Sequence, residues 1–333
     1  MAASVYGDRS AFYDCTFQGV QDTLWDVNGR HYFHKCNIQG QVDFIWGNGQ
    51  SIYELILISN VYEALGCVDL RATTIAVSQS GRPGTFKTIQ SAIDSVPSKN
   101  NRWVRVLIPA GVYREKVQIP IDKPCIFLQG AGSKSTIIEW GDFANATLTA
   151  SASDFGAKTI TFRNTYNLPP TSAEDEIKYG LERRPANAAS VYGDRSAFFN
   201  CIFQGVQDTL WDADGRHFFH KCNIQGEVDF IWGNGQSIYE QCVNQYVENS
   251  HGFTSYITAQ GREFMTETSG FVFKECKITG NGKAYLGRAY RAFSRVIIAN
   301  SVLTNVVYPV GWYAWDHVGH EANLTYVEEG NTG

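Results

Sequence analysis

Gln207, Asp208 and Asp229 are the residues of this chain whose types and spacing could do chemistry. Two carboxylates held close together cannot both ionise cheaply, so one keeps a proton while the other carries charge. Such a pair can divide acid work from nucleophile or base work. Asp208 and Asp229 are 21 residues apart. That separation brings them together only if the chain returns to the same angular position after about as many residues. Aspartate is a poor strand residue, and a charge beside apolar neighbours is costly. From spacing alone, a turn or a ladder of Asn/Asp caps accounts for the two positions equally well.

The elements that would have to position such a pair are visible as a repeat. Cys201-Ile202-Phe203-Gln204-Gly205 recurs as Cys222-Asn223-Ile224-Gln225-Gly226 and, more loosely, as Cys242-Val243-Asn244-Gln245. Cys276-Lys277-Ile278-Thr279-Gly280 and Ile126-Phe127-Leu128-Gln129-Gly130 resemble them. Steps of 21 and 20 residues are one circuit of a parallel β-helix, in which each coil buries its face against the next. Short β-rich runs such as Thr159-Ile160-Thr161-Phe162, set between Gly and Asn turns, complete the pattern. Charged residues are only 18% and aromatic residues 14%, which suits an all-β chain with many tight turns. Cys201, Cys222 and Cys242 should stack on consecutive coils, and Cys15 and Cys36 repeat that spacing. Small buried side chains in a stack, or disulfides, both fit.

A second repeat sets the domain organisation. Residues 1–54 align without a gap on residues 187–240, and 46 of the 54 positions are identical. This is a partial tandem copy of the central coils, joined through a linker at 55–71 to a domain at 72–333. A single coil cannot stand alone, so the copy is not expected to be an independent fold. In the larger domain, Ile75-Ala76-Val77-Ser78 reads as a strand. Phe86, Ile89, Ile93 and Val96 then share one face at helical spacing before Pro97, giving a short amino-terminal cap helix.

Local sequence moves the two aspartates from geometry to a family. Gly205-Val206-Gln207-Asp208-Thr209-Leu210, Val228-Asp229-Phe230-Ile231-Trp232-Gly233-Asn234, Ile257-Thr258-Ala259-Gln260-Gly261-Arg262 and Leu286-Gly287-Arg288 together resemble plant pectinesterases. Gly111-Val112-Tyr113-Arg114-Glu115 and Gly311-Trp312-Tyr313-Ala314-Trp315 match the same family, and the motifs run in order across 72–333. The resemblance implies a right-handed parallel β-helix of the pectin lyase-like kind and hydrolysis of pectin methyl esters to pectate and methanol. By motif position, Asp229 is the implied nucleophile and Asp208 the acid, then base. Gln207 is the implied oxyanion donor, and Arg288 holds Asp229 ionised. The implied sugar-binding residues are Trp232, Tyr290 and Trp312. No metal or organic cofactor is implied. Pectin is the implied partner, together with a proteinaceous inhibitor, a monomeric state and a secreted, cell-wall location.

Two positions depart from the family pattern. Pro185 stands where a second oxyanion glutamine is common, and proline has no N–H to give. Loss of one such donor costs roughly 100- to 1,000-fold in rate, unless Arg184 or a backbone N–H replaces it. A pectinesterase-like protein that binds pectin with little turnover is therefore the alternative. Ala289-Tyr290 follows the arginine where Pro-Trp is usual. In the copy, Gln21, Asp22 and Asp43 repeat the spacing of the site without a counterpart of Arg288, so that copy is expected to be inert.

Other chemistries find little footing. A net charge of −5 gives no general attraction for nucleic acid or an anionic membrane, and no run is long enough to span a bilayer. The amino terminus has neither the basic region nor the apolar core of a signal peptide, while Asn145-Ala146-Thr147 and Asn323-Leu324-Thr325 are compatible with secretion. Neither Gly-x-Ser-x-Gly nor Cys-x-x-Cys is present. His217 and His220, three apart in a strand, should face opposite ways and bind no metal together. Chain-cleaving β-helix enzymes are disfavoured, because an adjacent Asp pair with Gly-His-Gly and a calcium-type acidic cluster are both missing.

Overall fold

The computed structural model describes residues 2–18, 23–34, 36–39, 45–47, 50–54, 57–59, 67, 69–167, 184–247 and 254–333. The chain forms two units, Met1–Val68 and Asp69–Gly333.

In the larger unit three parallel sheets of ten, eight and eight strands run along the molecule, and each coil gives one strand to each sheet. This is the parallel β-helix that the 20- to 21-residue steps require. Its first strand, Asp69–Ala76, begins slightly before the expected boundary, and the cap helix spans Ile89–Asp94. Thr88 caps that helix by accepting from the Ser91 N–H, and Ile89, Ala92 and Ile93 are its buried face.

Register between coils is held residue by residue. Phe198 pairs with Phe219, Phe219 with Tyr239 and Tyr239 with Phe273. Their rings stack inside the helix with centroids 5.0, 4.6 and 4.6 Å apart, close to the strand spacing itself. Phe219 is fully buried between its neighbours. Phe219→Ala should cost about 3–5 kcal/mol, read as a lower urea midpoint for the whole chain.

The cysteine column has a backbone cause. Asn200, Lys221, Gln241 and Glu275 turn the corner of successive coils at φ of 50°, 53°, 54° and 54°. The residue that follows each corner, Cys201, Cys222, Cys242 and Cys276, is part of the buried core. All four are buried free thiols, as the stack of small side chains expects. The Cys222, Cys242 and Cys276 thiols donate to the Phe198, Phe219 and Tyr239 carbonyls at 3.5, 3.3 and 3.1 Å.

The two histidines face opposite ways. His217 is buried, with Nδ1 2.5 Å from Asp212 Oδ1, and Tyr239 donates its hydroxyl to the other oxygen of Asp212 at 2.5 Å. His220 lies half-buried on the other face beside Glu240, at 2.9 Å.

The smaller unit repeats the architecture in miniature, with three sheets of three parallel strands. Among the described residues its core includes Val5, Phe17, Leu24, Phe33, Cys36 and Ile38, and Phe12 stacks on Phe33 at 4.9 Å. His31 keeps the contact to Asp26 that corresponds to His217 and Asp212. Gln21, Asp22 and Asp43 lie outside the described residues.

Candidate active site

The site lies on the sheet that includes Ala189–Val191, Leu210–Asp212, Val228–Gly233, Tyr256–Gln260, Tyr285–Ala289 and Trp312–Tyr313. Alternation divides its residues into an inward row and an outward row. Ser190, Trp211, Trp232, Ala259, Arg288 and Tyr313 pair in succession along the outward row.

Asp208 and Asp229 sit beside this row, one coil apart. The Asp208 N–H donates to the Val228 carbonyl at 3.0 Å, and Gln207 bridges to Val228. On the next coil the register slips. From Val228 to Ile231 the chain takes three steps, while its partner moves from Tyr256 to Thr258 in two. The extra residue is a bulge that turns Asp229 out of the regular ladder. Gly226 permits it, because a Cβ there would come within 2.2 Å of Phe230 Cβ. Both aspartates take the left-handed conformation, Asp208 at φ 60° and Asp229 at φ 48°. Asp and Asn tolerate that region better than most residues, and strain of this sort gathers at functional sites.

Arg288 reaches Asp229 across the coil occupied by Ala259, whose short side chain leaves the way open. Its Nε donates to Asp229 Oδ1 at 3.0 Å and its Nη2 donates to Oδ2, a two-pronged contact. Burial pushes the Asp229 carboxyl upward and Arg288 opposes that push. Among the described residues, Asp208 has no arginine within ion-pair distance. Burial, reinforced by the neighbouring charge of Asp229 and only partly offset by Arg288, pushes its carboxyl up to about 8. The pair is thus asymmetric, with the proton on Asp208 at neutral pH.

The backbone around Asp208 is held from the preceding coil. The Asn187 side-chain amide donates to the Asp208 carbonyl at 2.5 Å, and the Ala186 N–H donates to the Gln207 carbonyl at 3.2 Å. Gln207 is half-buried beside the aspartates. Pro185 is exposed, and the Arg184 guanidinium lies over the Phe143 ring at 4.6 Å.

Aromatic rings flank the carboxylates. Trp211 stacks on Trp232 at 4.6 Å, Trp232 meets Tyr290 edge-on at 6.1 Å, and Tyr290 lies against Trp315 at 5.9 Å. Trp232 and Tyr290 thus lie together beside the row that includes Arg288. Trp312 stands apart from this group. It pairs with Gly287 in the inward row that includes Leu210 and Ile231. Its ring stacks on Tyr326 at 4.3 Å and its Nε1 donates to Glu328 at 2.8 Å. Trp315, three residues on, lies beside Arg288, with the guanidinium 3.8 Å above its ring.

A family model described as pectinesterase matches residues 1–63 and 74–333. The chain belongs to the pectinesterase family. It is 49% identical over 272 residues to Probable pectinesterase 55 of Arabidopsis thaliana, covering 80% of this chain and 81% of that protein. Probable pectinesterase 29 of the same plant is 49% identical over 265 residues, covering 78% of each. Among solved structures, pectin methylesterase from carrot superposes with a TM-score of 0.72 at 32% identity, over 80% of this chain and 84% of that one. A pectin methylesterase in complex with a hexasaccharide superposes at 0.62 and 27% identity, over 72% and 81%.

Three residues beside the aspartates and Arg288 are not singled out by the sequence. Trp315 stood in a quoted motif whose first tryptophan drew the assignment. Tyr256, 4.8 Å from the Arg288 guanidinium, looked like an ordinary strand residue. Asn187 follows Pro185 by two residues, and only the coil register shows that it reaches Asp208.

Proposed function

We propose that this pectinesterase hydrolyses the methyl esters of pectin galacturonate through a covalent aspartyl intermediate. The observation that supports it best is the asymmetry of the carboxylate pair, with Arg288 on Asp229 and a proton on Asp208. Asp229 attacks the ester carbonyl carbon, and the oxygen that gains charge is stabilised by the Gln207 amide. The bond to the methoxy oxygen then breaks, and Asp208 gives that oxygen its proton, releasing methanol. Asp208, now ionised, takes a proton from water as the water oxygen attacks the acyl-enzyme. The bond from the acyl carbon to Asp229 then breaks, restoring the Asp229 carboxylate, and the released galacturonic acid gives its remaining proton to solvent. Trp232 and Tyr290 offer faces for sugar rings, with Trp211 continuing the same wall.

Methanol release from methyl-esterified homogalacturonan, without new reducing ends or unsaturated products, tests this reading. Chain cleavage without methanol would overturn it. The copy at 1–54 is inert in this proposal, so a variant lacking it should release methanol at the rate of the full chain. Total loss of turnover would show instead that the copy supports the site. A cell-wall location, a monomeric state and a proteinaceous inhibitor belong to the same proposal, on the strength of family membership.

A further inference from the structure

Arg288 is contacted by two aromatic rings as well as by its carboxylate. Its guanidinium carbon lies 3.8 Å from the centre of the Trp315 ring and 4.8 Å from that of Tyr256. Both are within cation–π range, and a planar guanidinium suits stacking between rings. Tyr256 is itself braced by Tyr285 at 5.6 Å and Tyr313 at 5.8 Å, and Trp315 by Tyr290 at 5.9 Å. Trp315 also occupies the left-handed region at φ 50°, a costly conformation for so bulky a residue. The backbone thus accepts strain to place that ring.

We propose that Trp315 and Tyr256 are positioning residues, a clamp that keeps both Arg288 N–H groups on Asp229 and away from solvent. The proposal rests on the reading of Asp229 as nucleophile. Arg288 keeps about 18% of its side-chain surface exposed, so a freed guanidinium has water to turn to. Asp229 faces Asp208 from the preceding coil, Arg288 from two coils on, and Tyr256 with Tyr285 and Tyr313 behind it. Of these, only Arg288 is a cation. Loosening it leaves burial and the second carboxyl to act on Asp229 with less opposition, and the proton then stays on Asp229 to higher pH.

The test uses full-length protein with Trp315→Leu, Trp315→Phe and Tyr256→Ala, assayed by methanol release across pH. Trp315→Leu and Tyr256→Ala should lower kcat by roughly 10- to 100-fold, with a smaller change in KM. The acidic limb of the rate profile should move to higher pH, and Trp315→Phe should recover most of the rate and the original limb. A raised KM with kcat and the acidic limb unchanged would overturn the clamp and leave Trp315 as a sugar-stacking residue. If a variant fails to fold, the Phe variant and Tyr256→Ala carry the same comparison. The clamp and the function fail separately. An inactive wild type, or an active Asp229→Asn, sinks the proposed function. Carbon-13 titration of labelled aspartate in wild type and Trp315→Leu still shows whether the Asp229 carboxyl rises, and an unmoved titration sinks the clamp.

Discussion

Asp229→Asn should reduce methanol release by roughly 10⁴- to 10⁶-fold, the scale seen when a covalent nucleophile is removed. An amide oxygen of the same shape cannot form the acyl intermediate, so little beyond binding and oxyanion stabilisation remains. The substitution suits the site because Asn tolerates the left-handed backbone that Asp229 adopts at φ 48°. It also leaves Arg288 without its carboxylate, which costs stability where a buried charge loses its partner. The partly exposed guanidinium can recover some hydration, so folding should survive at a lower melting temperature. Circular dichroism separates the two effects. A folded variant that keeps a tenth of wild-type turnover would remove Asp229 from the nucleophile's role.

Asp208→Asn should have two consequences of opposite sign. Turnover should fall by roughly 10²- to 10⁴-fold through loss of the general acid. Stability should rise, and the rise should depend on pH. In the folded protein the Asp208 carboxyl titrates near 8, well above the ordinary range near 4. Below pH 4 the group is protonated in both folded and unfolded chains and has no linked effect. Between about 4 and 8 the unfolded chain has lost the proton while the folded chain retains it, so rising pH favours unfolding across that window. An asparagine side chain does not titrate, so the variant escapes this loss. The melting temperature of the variant relative to wild type should therefore climb from pH 4 to pH 8 and then level off. In the wild type, activity should decline as pH passes about 8, because the acid is no longer protonated. A difference in melting temperature that is flat with pH would show that Asp208 is an ordinary surface carboxylate.

Much of this architecture is written in the sequence as spacing. The cysteine-led segments at 201, 222 and 242 give the circuit, and the circuit brings Asp208 under Asp229 before any coordinate is known. What the spacing cannot give is phase after a break in regularity. Trp312 and Trp315 are three residues apart, and the choice between them depends on which residue of the motif pairs with Gly287. The bulge at Asp229 is equally hidden. It arises because Gly226 leaves room for Phe230, a contact between residues on either side of the aspartate rather than a property of either one. Pair asymmetry could be anticipated from Arg288, but the short Ala259 that lets the arginine reach back across a coil acquires its meaning only from the register.

The left-handed backbone at Asp208 and Asp229 also bears on how such a protein could evolve away from catalysis. Few side chains settle comfortably at those φ values, chiefly Asp, Asn and Gly. Descent toward an inactive, carbohydrate-binding form should therefore run through Asn or Gly at these positions rather than Ala or Val. Aspartate and asparagine codons differ by one base. The scaffold and its chemistry are thus separable in a single mutational step, with the coil intact on both sides of it.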